Sequence, residues 1–290
     1  MKKIALTSLL AVFAAAGANA ANIIDGNPLY MPTKGNFYSV TDLYSHTEGT
    51  PYTLAEEFGY GVTNQLAIDV KTSLSENRAF DKYSWNDLSL KATFRALDMG
   101  AWKVDAYGAY AAGASSLLNR VDGFGGGLMY YPDADDETLW FDKDATSYTW
   151  TAGVRGGYTT AKWTVAGHAA FSYLNSETLN WGDKGTHMLT LGVDGQFVLD
   201  SHWNLVGGVE YIGITNDHLA YDGNEMPAKV KNAGLWTGYF GVNYNIDATK
   251  YVGAYINGTM DHWKGDAAKG EKGWGFEDGF GYGLKFGIQF

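Results

Sequence analysis

From about residue 37 onward, apolar residues alternate with polar or small ones along most of the chain. The stretch "GYGLKFGIQF" shows it most clearly: Tyr282, Leu284, Phe286, Ile288 and Phe290 share one parity, and Gly283, Lys285, Gly287 and Gln289 the other. Successive side chains on a strand point to opposite faces, so this is a strand with one oily face and one polar or small face. Helical periodicity is hard to find, and the recurring period of two predicts an all-β chain. It places twelve strands at 37–45, 52–61, 65–75, 86–97, 102–113, 147–158, 162–174, 186–199, 202–214, 233–246, 249–262 and 278–290.

The connections carry the topology. Short ones at 62–64, 97–101, 159–161, 199–201 and 247–249 alternate with mostly longer ones, richer in charge and Gly, at 46–51, 76–85, 114–146, 175–185, 215–232 and 263–277. That alternation predicts a transmembrane up-and-down antiparallel β-barrel with tight periplasmic turns and long extracellular loops. An even strand count puts both termini on the periplasmic side. No Pro-rich or Ser-rich linker divides the chain, so residues 37–290 read as one barrel.

The start of the chain agrees. Lys2 and Lys3 precede "IALTSLLAVFAAAG", which ends at the small-x-small site Ala18, Asn19, Ala20. This is the pattern of a secretory signal peptide over residues 1–20, followed by an N-terminal periplasmic segment at 21–36. Loss of the two lysines takes the formal charge from -11 to about -13, an acidic exported chain. Cys is absent, so a disulfide-stapled domain is excluded. The chain has 38 Gly, 20 Tyr, 14 Phe and 10 Trp but 5 Pro, a balance that suits strands and interfaces.

Aromatics separate the barrel from a soluble sandwich. Trp102, Trp163, Trp203 and Tyr251 follow short turns, and Tyr110, Tyr173 and Tyr211 lie at the other ends of three of those strands on the same parity. Eight to ten residues at about 3.4 Å each, tilted by about 40°, climb roughly 20–26 Å, close to the roughly 25 Å apolar band of an outer-membrane barrel. Trp102, Tyr110, Trp163, Tyr173, Trp203 and Tyr211 therefore read as two interfacial girdles.

The terminal alternation of Tyr282, Leu284, Phe286, Ile288 and Phe290 resembles the C-terminal insertion signal of Gram-negative outer-membrane barrels. A second stretch, "EEFGYGVTNQLAIDV", resembles the strand, Gly-x-Thr-Asn/Asp turn, strand unit of uncharacterised porin-like barrels. The resemblance implies an outer-membrane location and lipid and lipopolysaccharide as surroundings. It also implies recognition by the barrel assembly machinery during insertion, and it says nearly nothing about cargo.

The inward parity predicts a lumen lined by Asp69, Lys71, Asp87, Lys91, Arg95, Lys103, Asp105, Arg155, His168, Asp194, Glu210 and Lys285. Glu57 joins the acids, so the two signs balance. Many other inward positions are Gly, Ala, Ser or Thr, which reads as open space. Two strands resist assignment: Glu56 and Glu57 are adjacent, so one of them faces lipid, and Asp42 shares parity with Tyr38, Val40 and Tyr44.

The 114–146 connection mixes apolar residues with seven acids against Arg120 and Lys143, and suits either a lid or a protruding hairpin. Asp133, Asp135, Asp136 and Glu137 lack the Gly and spacing of an EF-hand and read as a solvated turn. Neither Gly-x-Ser-x-Gly nor His-Glu-x-x-His occurs, and His46, His187, His202, His218 and His262 sit in no local Ser motif, so an enzyme is not expected. The glycines of "GFGGG" and "GFGYG" precede no helix, so no phosphate loop and no cofactor is implied. Acidity argues against nucleic acid. What remains is a narrow passive channel for small solutes, with a structural or adhesive barrel with a plugged lumen as the alternative and a barrel hydrolase ranked behind both.

Overall fold

The computed structural model describes residues 26–46, 52–76, 83–113, 147–176, 186–215, 230–265 and 279–290. They hold twelve strands: β1 (Phe37–His46), β2 (Thr53–Gly61), β3 (Leu66–Glu76), β4 (Tyr83–Met99), β5 (Trp102–Gly113), β6 (Ser147–Thr159), β7 (Trp163–Ser176), β8 (Thr186–Val198), β9 (Trp203–Ile214), β10 (Val230–Asn245), β11 (Lys250–Gly265) and β12 (Gly279–Gln289). Each pairs with its neighbours in sequence, and β1 pairs with β12, closing an antiparallel up-and-down barrel. The strand bounds agree with the alternation to within three residues. The 114–146 connection, with its acidic cluster, and the tips of the other long connections lie outside the described residues.

Closure follows from the solvent. Hydrocarbon offers no partner to a backbone N–H or C=O, so a sheet spanning it leaves no free edge. At the seam, Phe37 N–H donates to Phe290 O at 2.7 Å and Phe290 N–H donates to Phe37 O at 2.9 Å. Their rings stack with centroids 6.0 Å apart.

All five short turns are capped by a side-chain oxygen. Thr63 Oγ1 accepts from the N–H groups of Gln65 and Leu66, and Thr160 Oγ1 from those of Lys162 and Trp163. Asp200 Oδ1 accepts from His202 and Trp203, Asp247 Oδ1 from Thr249, and Asp98 Oδ1 from Gly100. Thr and Asp hold such turns because their short side chains reach amides two or three residues on. The two amides on Asp200 hold its carboxyl below the usual aspartate range.

β4 is the longest strand because it carries two irregularities, one facing the Ser73/Leu74 step of β3 and one between Arg95 and Leu97. A bulge shifts the side-chain parity beyond it. The second one turns Asp98 toward Lys103 Nζ at 3.5 Å and brings its carboxylate 4.0 Å from Arg95 Nη1.

The faces that sequence left open are resolved. Tyr38, Val40 and Asp42 of β1 pair with Gly59, Glu57 and Ala55 and face the lumen. Glu56 therefore shares the outer face with Phe58 and Tyr60, which are exposed. Yet Glu56 is buried, because the hydroxyl of Thr41 donates to its Oε2 at 2.6 Å and that of Ser39 to its Oε1. Two donors from β1 offset part of the cost of a carboxylate on the lipid side.

Ser39→Ala/Thr41→Ala is expected to lower the stability of the detergent-refolded barrel by about 1–3 kcal/mol, since it strips the donors from a buried acid. Adding Glu56→Leu should restore the urea midpoint; an unchanged midpoint in the double variant would show that the hydroxyls contribute nothing. A second expectation concerns Asp200. Its folded-state pKa is depressed, so its hold on the turn is complete above the ordinary aspartate range and is lost as pH falls through the lower folded value. The amide resonances of His202 and Trp203 should titrate with a midpoint below that of an exposed aspartate, and Asp200→Asn should abolish the titration.

Candidate functional site in the barrel lumen

Twelve strands about 4.8 Å apart and tilted by about 40° enclose a backbone cylinder roughly 24 Å across. Side chains on both walls leave room for about one extended peptide. What fills that space decides whether the barrel can conduct.

The inward glycines do not leave the open space that the sequence suggests. Each of several lies directly opposite an aromatic on the neighbouring strand: Gly59 faces Tyr38, Gly153 faces Tyr107, Gly208 faces Tyr239, Gly283 faces Tyr255 and Gly287 faces Tyr251. A Cβ on Gly283 would lie 2.4 Å from Tyr255 Cζ, and one on Gly287 1.9 Å from Tyr251 Cε1. The rings lie across the glycine backbone, against the wall. Tyr251, placed by sequence at the membrane interface, is thus a buried lumen residue.

Laid flat, the tyrosines reach acids. Tyr255 Oη donates to Asp42 at 3.0 Å, and Lys285 Nζ stands 3.7 Å from the same carboxylate. Tyr38 Oη lies 2.6 Å from both Glu57 Oε1 and Asp69 Oδ1, with Lys91 Nζ 3.9 Å from Asp69. Tyr239 Oη donates to Asp194 at 3.4 Å. His168 on β7 spans two strands: Nδ1 is 3.1 Å from Asp194 and Nε2 is 2.8 Å from Glu210.

Asp105 is the most enclosed charge, with no exposed surface. Its Oδ1 accepts from Arg95 Nε at 2.8 Å and its Oδ2 from Arg155 Nε at 2.7 Å. Each guanidinium also presents its Nη2 to the N-terminal segment, and Arg95 Nη2 lies 3.2 Å from Asp105 Oδ2 as well. Arg95 donates to Leu29 O at 2.7 Å and Arg155 to Tyr30 O at 2.9 Å.

Residues 26–36, the described part of that segment, thus lie inside the barrel, in contact with inward side chains of several strands. Asn36 O accepts from Gly61 N–H, and Gly35 N–H donates to Gly61 O, which ties the segment to the end of β2. "NPLY" forms a turn: Tyr30 N–H donates to Asn27 O, and Leu29 N–H to Asn27 Oδ1. Asn before Pro is a turn-forming pair. Leu29 is 2 % exposed, and the Tyr30 ring meets Tyr38 edge-on at 5.7 Å. Gly26 abuts Val206 and Asn243 on β9 and β10. Above the segment, a cavity of about 380 Å³ is lined by all twelve strands and by Gly26, Asn27, Tyr30 and Met31.

The residues assigned to the lumen by parity fall as follows. Asp69, Lys71, Lys91, Arg155, His168, Asp194, Glu210 and Lys285 line the cavity. Arg95 and Asp105 are buried beneath it, and Lys103 pairs with Asp98 near the periplasmic rim. Asp87 lies on β4 opposite Ser73 and Gly113, and its side chain is outside the described residues. Sequence reasoning missed Asp42 and the tyrosines. The inward tyrosines opposite glycines were a usable signal. Among the described inward side chains, seven acids (Asp42, Glu57, Asp69, Asp98, Asp105, Asp194, Glu210) meet six bases (Lys71, Lys91, Arg95, Lys103, Arg155, Lys285), with His168 between two of the acids.

On the outer wall, Trp102, Trp163 and Trp203 are exposed next to the short turns, with Tyr158 bridging the first two and Tyr244 against the third. Toward the other end, Tyr110 packs on Trp150, Tyr211 on Trp236 and Tyr173 on His187. Ser201 Oγ lies 2.9 Å from His202 Nδ1 on an exposed turn. The nearby Asp200 carboxylate accepts through Oδ1 from two backbone amides of the same turn. Among the described residues no group of three His, Asp or Glu is placed to hold a metal ion.

Asp105→Asn removes the anion from between two buried guanidinium groups, and it should destabilise the barrel by about 3–5 kcal/mol. Urea unfolding in detergent measures this, and Arg155→Met in the same background should recover part of the loss, since the two sites share one carboxylate.

No protein-family model and no curated protein sequence matches the chain. Solved structures do. The chain is similar to the NanC porin, at 9% identity and a TM-score of 0.54, over 86% of this chain and 98% of that one. It is also similar to the KdgM porin, at 7% identity and a TM-score of 0.50, over 87% and 99% of the two chains. A second KdgM porin structure, in complex with disordered oligogalacturonate, gives 9% identity and a TM-score of 0.51. At these identities the likeness is one of fold: the chain is a closed twelve-stranded antiparallel barrel, similar in fold to these porins.

Proposed function

We propose that the protein resides in the outer membrane and forms a narrow passive channel for small solutes. The observation that carries this reading is the lumen cavity lined by side chains from all twelve strands, where acids, bases and phenols replace the apolar packing of a filled barrel. A lumen built only as a strut needs no such chemistry. The exposed apolar outer face and the aromatic pairs at its two levels support the membrane setting.

The acids and bases among the described inward side chains, seven against six, favour one class of solute. They provide no basic excess along which an acidic sugar such as oligogalacturonate, bound in one of the KdgM structures, would be drawn. Small neutral or zwitterionic solutes fit better. The seven acids of residues 114–146 add a modest preference for cations at the entrance, which salt screens over a Debye length of about 10 Å at 0.1 M.

Phe290 serves assembly in two ways on this reading. It ends the alternating face read by the assembly machinery, and its backbone closes the seam with Phe37. A structural barrel without conduction is the competing function.

Single-channel recording on refolded protein tests the main claim. Small, weakly cation-preferring steps that lose selectivity as salt rises are expected; a silent membrane would favour the structural barrel, and anion preference at low salt would refute the role given to the acidic connection. For assembly, Phe290→Asp should lower membrane insertion far more than Asp266→Ala. Equal membrane levels of the two variants would remove Phe290 from any part in insertion.

A further inference from the structure

We infer that residues 26–33 form a neutral plug, held in the lumen by paired arginine bonds to its backbone, and that this plug sets how far the channel is open. The inference rests on the channel reading above and adds to it the element that limits flow.

The geometry is that of a strap across the bore. It enters beside the end of β2, where a Cβ on Gly61 would lie 2.0 Å from Thr33 O. It meets β4 and β6 through the Leu29 and Tyr30 carbonyls, and it reaches β9 and β10 at Gly26. Those contacts lie on widely separated strands of the closed sheet, so the strap crosses the lumen rather than following one wall. With room for about one extended peptide in a twelve-stranded bore, a single strap is enough to obstruct it.

The hold is specific in kind. Asp105 fixes Arg155 through Nε and Arg95 through Nε and Nη2, and the Nη2 of each also reaches a strap carbonyl. Hydrogen bonds from charged donors are stronger than neutral ones. The strap residues Gly26 to Thr33 include no Asp, Glu, Lys, Arg or His, so they carry no side-chain charge at neutral pH. Transmembrane voltage acts on charge, so it has no purchase on these residues, and the obstruction they make should be the same at either polarity.

The test combines a tether with a deletion. Val206 Cβ lies 3.5 Å from where a Cβ on Gly26 would sit, within the span of about 3.5–4.5 Å that a disulfide bridges, and the chain has no other Cys. Gly26 has φ 95°, so a Cys there is strained and a short bis-thiol cross-linker is used beside oxidation. In refolded Gly26→Cys/Val206→Cys, a link identified by mass after digestion is expected; thiols that neither oxidation nor the cross-linker joins in the folded barrel would overturn the placement of the strap. Deleting residues 26–33 should raise single-channel conductance by at least about twofold, because flow follows the free cross-section. Should the deleted protein not refold, Asn27→Ala/Leu29→Ala loosens the turn and its apolar anchor while keeping every wall residue. Intact protein that conducts, with no gain in the loosened or deleted form, would sink the plug and leave the channel standing. Silence from all forms would reject both, and a bridge found in that case would mark the strap as a strut.

Discussion

A backbone amide in hydrocarbon has no partner except another part of the chain, and the closed sheet is the answer to that constraint. The seam between Phe37 and Phe290, with a hydrogen bond in each direction, joins the two most distant ends of the barrel sequence. Closure then fixes everything else. It sets one parity of each strand toward lipid and the other toward the bore, and a slip of one residue at any pair would exchange the two. The tight periplasmic turns, each capped by Thr or Asp, keep that register from drifting between strands.

The interior solves a different problem, that of holding charge in a confined space. Buried ions are tolerated when paired and hydrogen-bonded, and the lumen does this by crossing strands. Asp105 joins β4 to β6, His168 joins β7 to β8 and β9, and Asp42 is shared by Tyr255 and Lys285 from β11 and β12. The same arginines that satisfy Asp105 retain donors for the N-terminal strap. Fold stability and bore width therefore meet in a few atoms.

How much of this could be seen in the sequence depends on range. Strand existence and topology were legible, because alternation is local and short turns announce themselves in "VTN" or "LDS". The faces of β1 were not, since an inward surface of Tyr38, Val40, Asp42 and Tyr44 reads as apolar in composition although it lines a polar bore. Glu56 reads as a misplaced acid until Ser39 and Thr41 are brought beside it by the β1–β2 register. The lumen contacts of 26–36 had still less signal. "NPLY" suggests a turn, but its attachment to Arg95 and Arg155 depends on residues 66 and 125 positions away. Tyr251 misled for the related reason that an aromatic after a turn suits either face, and only pairing with Gly287 decides.

The rings laid over glycines have a mechanical meaning. Tyr255 reaches Asp42 because Gly283 offers no side chain to lift it, and Tyr38 reaches Asp69 over Gly59 in the same way. A single methyl at Gly283 would act as a wedge: the ring would tilt off the wall, its hydroxyl would leave the carboxylate, and a bristle would project into the bore. The calibre of such a barrel is thus adjustable without altering strand number or tilt. One carbon atom, added where the backbone is bare, is enough to turn a smooth liner into an obstacle.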